Sequence, residues 1–155
     1  MMKKTLFGLS LLAIVSFITV SCDDDKVISE AELPKKSQDF ISEYFAGKSY
    51  SRVEKDGRNY SVKLGEQGNQ IEVDFDADGN WIEVDGDDGV YIPTGFILPK
   101  IVAYVADNYP NPAPNADKEN INGIEKNTRG FDVDLVTSDT DLIFDTNGDF
   151  VRVDN

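Results

Sequence analysis

The 155-residue chain sets 15 Lys and Arg against 29 Asp and Glu, a net charge of −14, and has no histidine and one cysteine. Such a balance repels nucleic-acid phosphate and anionic lipid. The missing histidine and single thiol exclude Ser-His-Asp and Cys-His catalysis and thiolate or imidazole zinc sites, and no motif supports the carboxylate, Lys or Tyr chemistry that remains open.

In chain order, Lys3 and Lys4 lead into a largely apolar run over 6–20. That run has the length of a signal peptide and falls short of the roughly 20 residues a spanning helix needs. It ends at Ser21-Cys22-Asp23-Asp24-Asp25, a small residue before the lone cysteine and three acids after it. We read 1–21 as a lipoprotein leader cleaved before an acylated Cys22, although Thr19 and Val20 depart from the usual Leu-Ala/Ser approach. Residues 22–32 read as an acidic tether. Without the leader, 13 basic side chains face 29 acidic ones, a net charge of −16.

The remainder repeats itself. Leu33-Pro34-Lys35 returns as Leu98-Pro99-Lys100, and Val53-Glu54-Lys55 as Ile124-Glu125-Lys126. Tyr60-x-Val62-x-Leu64 returns as Phe131-x-Val133-x-Leu135, and Phe75-Asp76-x-x-Gly79-x-Trp81 as Phe144-Asp145-x-x-Gly148-x-Phe150. Two units follow, 33–87 and 88–155. Each opens with a helix that has Pro34 or Pro99 in its first turn. Leu33, Ser37, Phe40, Ile41 and Tyr44 make one apolar face, and Leu98, Ile101, Val102 and Val105 the other. Gly47 stops the first helix, Asn108-Tyr109-Pro110 the second.

Four strands follow in each unit, predicted over 49–55, 58–64, 70–76 and 80–85, then 120–126, 131–136, 140–145 and 149–154. Apolar and polar residues alternate along them, so one face of each sheet packs under its helix and the other stays open and polar. By that alternation Trp81, Glu83, Phe150 and Arg152 point outward, with Ser61, Lys63, Glu72, Asp132 and Asp134 as neighbours. An outward aromatic on an acidic sheet is a plausible anchor for a protein partner. The competing reading has Trp81 and Phe150 folding over their hairpin ends or packing between the units.

A local motif points elsewhere. Asp74, Asp76, Asp78 and Asp85, with Gly79, match the acid positions of an EF-hand-type calcium loop. Its flanks alternate like strands, however, and the second copy has Ile143 in place of Asp74, so a hairpin turn accounts for the same residues.

With these pieces laid out, the chain resembles the PepSY-like, beta-lactamase-inhibitor-like lipoproteins of Bacteroidetes over residues 29–155. The acids after Cys22 likewise resemble that group's signal for export to the outer face of the outer membrane. The resemblance implies tandem α+β units, each a helix on a four-stranded antiparallel sheet, with whether the sheets join left open. It names no activity. The expectation is a non-enzymatic envelope lipoprotein without a cofactor that binds an unidentified protein partner through Trp81, Glu83, Asp132, Asp134, Phe150 and Arg152. Enzyme inhibition is one form suggested by the family name alone. The alternative is a calcium- or small-ligand-binding surface lipoprotein.

Overall fold

A computed structural model describes residues 26–115 and 118–154. The expected leader over 1–21, Cys22 and the acids beside it lie outside the described residues. The tandem-unit expectation is corrected here, because the strands form one continuous nine-stranded antiparallel sheet in chain order with two short helices. They do not form two separate helix-plus-four-strand bodies.

The sheet begins with β1 (Lys26–Val27) and a 3-10 turn (Glu30–Glu32), so residues expected in the tether take part in the fold. Helix α1 (Lys35–Tyr44) precedes β2 (Tyr50–Asp56), β3 (Asn59–Leu64), β4 (Ile71–Phe75) and β5 (Trp81–Gly86). Helix α2 (Pro99–Asn108) then precedes β6 (Gly123–Asn127), β7 (Gly130–Asp134), β8 (Asp141–Asp145) and β9 (Phe150–Asp154). Helices of ten residues are marginal alone in water. They are held by burying Ile41, Ile101 and Val105 against the sheet.

Fusion occurs where the fourth strand of one repeat meets the first of the next. Glu83 pairs with Glu125, Val84 with Ile124 and Asp85 with Gly123. Asn122 clamps the crossover from the side, its Nδ2 donating to the carbonyls of Gly86 at 3.0 Å and Val90 at 2.9 Å. The reason is burial. An edge strand carrying Val84 and Ile124 would expose both side chains and a row of backbone groups, whereas paired they are 0% and 1% exposed. The core runs across the seam from Val62, Leu64 and Val73 to Val133, Leu142 and Phe144.

Both helices lie on this apolar face. Phe40 of α1 meets Phe75 edge-on at 5.7 Å, and Tyr104 of α2 meets Phe144 edge-on at 5.5 Å. The opposite face carries the polar half of every strand.

Candidate functional site on the open sheet face

Strand register converts the alternating acids of the sequence into two rows. In one, Ser61, Asp74, Glu83, Glu125 and Asp132 face one another in turn across β3 to β7. In the other, Lys63, Glu72, Asp85, Gly123, Asp134, Asp141 and Asp154 do so across β3 to β9. Like charges directly opposite each other on a sheet are destabilising, so nine carboxylates in such positions mark a surface that folding alone does not favour. Cations appear toward the margins: Lys63 Nζ is 3.1 Å from Glu72 Oε2, and Arg152 Nη1 is 2.6 Å from Asp154 Oδ1.

The densest part is a concavity of about 220 Å³ lined by Glu72, Asp74, Glu83 and Asp85. Within it Asp74 Oδ1 is enclosed and has no hydrogen-bond partner. The Ser61 hydroxyl donates to Glu72 Oε1 at 2.6 Å. Burial raises the pKa of Asp74, opposed by the nearby Ser61 hydroxyl and reinforced by Glu72. Burial likewise raises Glu83, with Asp74 and Glu125 adding like charge, and raises Asp85, with Glu72 adding to it.

Beside this concavity Gly123 interrupts the second row, and the two neighbouring carboxylates lean into the gap. The position a Gly123 Cβ would take is 2.8 Å from Asp134 Oδ2 and 2.9 Å from Asp85 Oδ1. Asp134 is pushed up to about 6, first by burial, then by the charge of Asp141 and a hydrogen bond with it. Among the described residues no three such groups form a ready-made metal site. Gathering several oxygens on one ion therefore requires side-chain rotation, which an open face allows.

The sequence-predicted residues divide between the two faces. Glu83, Asp132, Asp134 and Arg152 lie on the open face as expected from alternation. The outward placement of Trp81 and Phe150 is corrected. A register shift between Asp74 and Phe75 sets Trp81 opposite Phe75, and one between Ile143 and Phe144 sets Phe150 opposite Phe144. Such bulges turn the following aromatic onto the helix face. Trp81 stacks on Phe40 at 6.3 Å and meets Phe96 at 5.3 Å, with Lys126 Nζ 4.4 Å from its ring centroid. Phe150 stacks on Tyr104 at 4.4 Å. The signal was present in Trp81-Ile82 and Phe150-Val151, adjacent apolar pairs that break period-2 alternation.

The loop acids separate in the same way. Asp76 Oδ1 accepts the backbone N–H groups of Asp78 and Asn80, both at 2.9 Å, while Oδ2 accepts Asn80 Nδ2 at 2.8 Å. Asp145 repeats this turn with Asn147 and Asp149. Asp76 is thus committed to the hairpin, and Asp74 and Asp85 lie on the sheet face. Glu125, Asp141 and the Gly123 gap belong to that face through register alone.

Comparison with known proteins agrees with this architecture. A solved structure of a "putative calcium-regulated periplasmic protein" from Bacteroides thetaiotaomicron superposes with a TM-score of 0.73 at 30% identity, covering 86% of this chain and 98% of its own. A "putative periplasmic protein of unknown function" from Bacteroides vulgatus gives 0.69 at 26% identity, covering 84% and 99%. Another periplasmic protein from Bacteroides vulgatus gives 0.69 at 26%, covering 86% and 99%. A search of curated proteins found no match. The periplasmic descriptions of the three structures are consistent with a cell-envelope location, and none of them names an enzyme. The profile described as "Putative beta-lactamase-inhibitor-like, PepSY-like" matches twice, over residues 18–70 and 66–152, and the chain belongs to that PepSY-like family.

Proposed function

We propose that this is a non-enzymatic, lipid-anchored envelope protein whose open sheet face binds divalent cations, calcium foremost. The observation that carries the reading is Asp74 Oδ1, an enclosed carboxylate oxygen without a partner in a concavity walled by three further carboxylates. A buried acceptor of this kind is costly unless a proton or a cation satisfies it. Calcium fits the donor set, since it takes six to eight oxygens at about 2.3–2.6 Å and tolerates irregular geometry. Magnesium demands a tighter octahedron. The description of the Bacteroides thetaiotaomicron relative as calcium-regulated supports the choice. Asp74, Glu83 and Asp85 would supply the first oxygens, with Glu72 and Asp134 at their sides. The anchor at Cys22, and an outer-membrane or surface position, rest on the leader sequence.

A second reading keeps the expected macromolecular partner. The acidic rows extend from β3 as far as β9, far beyond what one ion occupies. With Trp81 and Phe150 turned to the helices, that partner would be basic and captured by charge, so its binding should weaken steeply with salt.

Calorimetric titration with calcium, paired with thermal melts, tests the primary reading. Saturation at 100 times the dissociation constant should stabilise the fold by about 2.7 kcal/mol. Asp74→Asn or Asp85→Asn should abolish most of that gain, while Asp76→Ala should lower stability yet keep the calcium response. A melting point indifferent to millimolar calcium would reject the reading, and loss of the response only in Asp76→Ala would move the site to the hairpin.

A further inference from the structure

The two edges of the sheet are not alike. At one, β1 is only two residues long, a form of edge that discourages further pairing. At the other, β9 runs for five residues, all exposed, and among the described residues it pairs with β8 alone. It also holds three of the five exposed large apolar side chains among the described residues: Phe150, Val151 at 56% and Val153 at 37%. A strand edge offers a row of unpaired N–H and C=O groups, and an apolar one invites another strand.

Charge selects the occupant. One acidic row stops short of this edge, since Asp132 faces Ile143, which faces Arg152, whereas the other reaches it, with Asp141 facing Asp154. Arg152 and Asp154 are two residues apart on the open face and flank Val153. An added antiparallel strand therefore needs an acid opposite Arg152, a base opposite Asp154 and an apolar residue opposite Val153. β9 itself meets all three conditions when two copies pair about Val153. Arg152 then faces the partner's Asp154, and the reverse holds across the axis. Pairing about Arg152 would instead set two guanidinium groups directly opposite each other, which is unfavourable.

We propose that β9 pairs antiparallel with β9 of a second copy, about a two-fold axis through Val153. Antiparallel strands within one sheet place that axis perpendicular to it. Both helix layers then share one side and both carboxylate faces the other, so the two sheets become one. This pairing does not depend on cation binding.

The test uses the full chain in mild detergent with Cys22→Ser, so that an introduced cysteine is its single thiol. Val153→Cys should form a disulfide dimer under mild oxidation. Val151→Cys should form about tenfold less, because in this register the two copies of residue 151 lie roughly 13 Å apart, beyond disulfide reach. In sedimentation, Arg152→Asp and Asp154→Arg should each weaken self-association about tenfold, and the double exchange should restore it. Circular dichroism verifies that each variant is folded. A monomer up to millimolar concentration overturns the proposal. So does a dimer that crosslinks equally at 151 and 153, or one indifferent to both charge reversals.

Discussion

Asp134 illustrates what a single residue on the open face contributes. Its pKa is raised to about 6 from an ordinary 3.8, by burial first and then by Asp141, with Asp85 and Asp132 adding like charge. Between those values the folded chain holds a proton that the unfolded chain has released, so unfolding stability falls as pH rises from about 4 to 6. The side chain is only half-buried. After discounting for solvent screening, the loss is on the order of 1 kcal/mol. Asp134→Asn should therefore raise the melting point at pH 7.5 by about 2–4 °C and flatten its decline between pH 4 and 6. A wild-type melting point that climbs over that interval would contradict the assignment. Residue by residue, the acids of this face were readable from alternation, which is why Glu72, Glu83, Asp132 and Asp134 fell on the right side. Glu125 and Asp141 entered only when register placed them opposite those residues.

The repeated hairpin shows the same division at the scale of an element. Its turn chemistry, Asp76 through Gly79 and Asp145 through Gly148, is local and plain in the sequence. What the tip touches is not local. Gly79 has φ 79°, and a Cβ there would stand 2.8 Å from Pro34 Cβ and 2.9 Å from Ser37 Oγ, at the start of α1. A Cβ on Gly148, with φ 77°, would stand 3.2 Å from Leu98 Cδ1 and 3.4 Å from Ile101 Cγ1, at the start of α2. Each hairpin tip thus seats the first turn of its helix. Gly57 also has positive φ but nothing within 4 Å. Gly79→Ala should cost about 2–3 kcal/mol in urea unfolding against about 1 kcal/mol for Gly57→Ala, the difference measuring the contact and the remainder the backbone. Equal costs would mean that the tip does not support the helix. The bulge after each turn escaped sequence reading because one inserted residue inverts every side chain beyond it. That inversion moved Trp81 and Phe150 to the helix side.

For the molecule as a whole, the seam between β5 and β6 determines behaviour. Since the two repeats share one sheet and one core, they should unfold together, with Trp81 fluorescence and far-ultraviolet circular dichroism following a single curve. Ile124→Ala, at a position 1% exposed on the seam, should destabilise by about 2–5 kcal/mol and shift both probes equally. Separate transitions would restore the picture of two independent units. By itself the sequence determined the repeat, the strand alternation, the turns and the function classes closed by the missing histidine, because each depends on residue type or on spacing within a few positions. Tertiary structure alone decided that the repeats fuse, that both aromatics turn inward, and that scattered acids become two facing rows around a partnerless oxygen. Those outcomes depend on register between strands distant in sequence, and register is settled by which pairing buries Val84, Ile124 and their neighbours together.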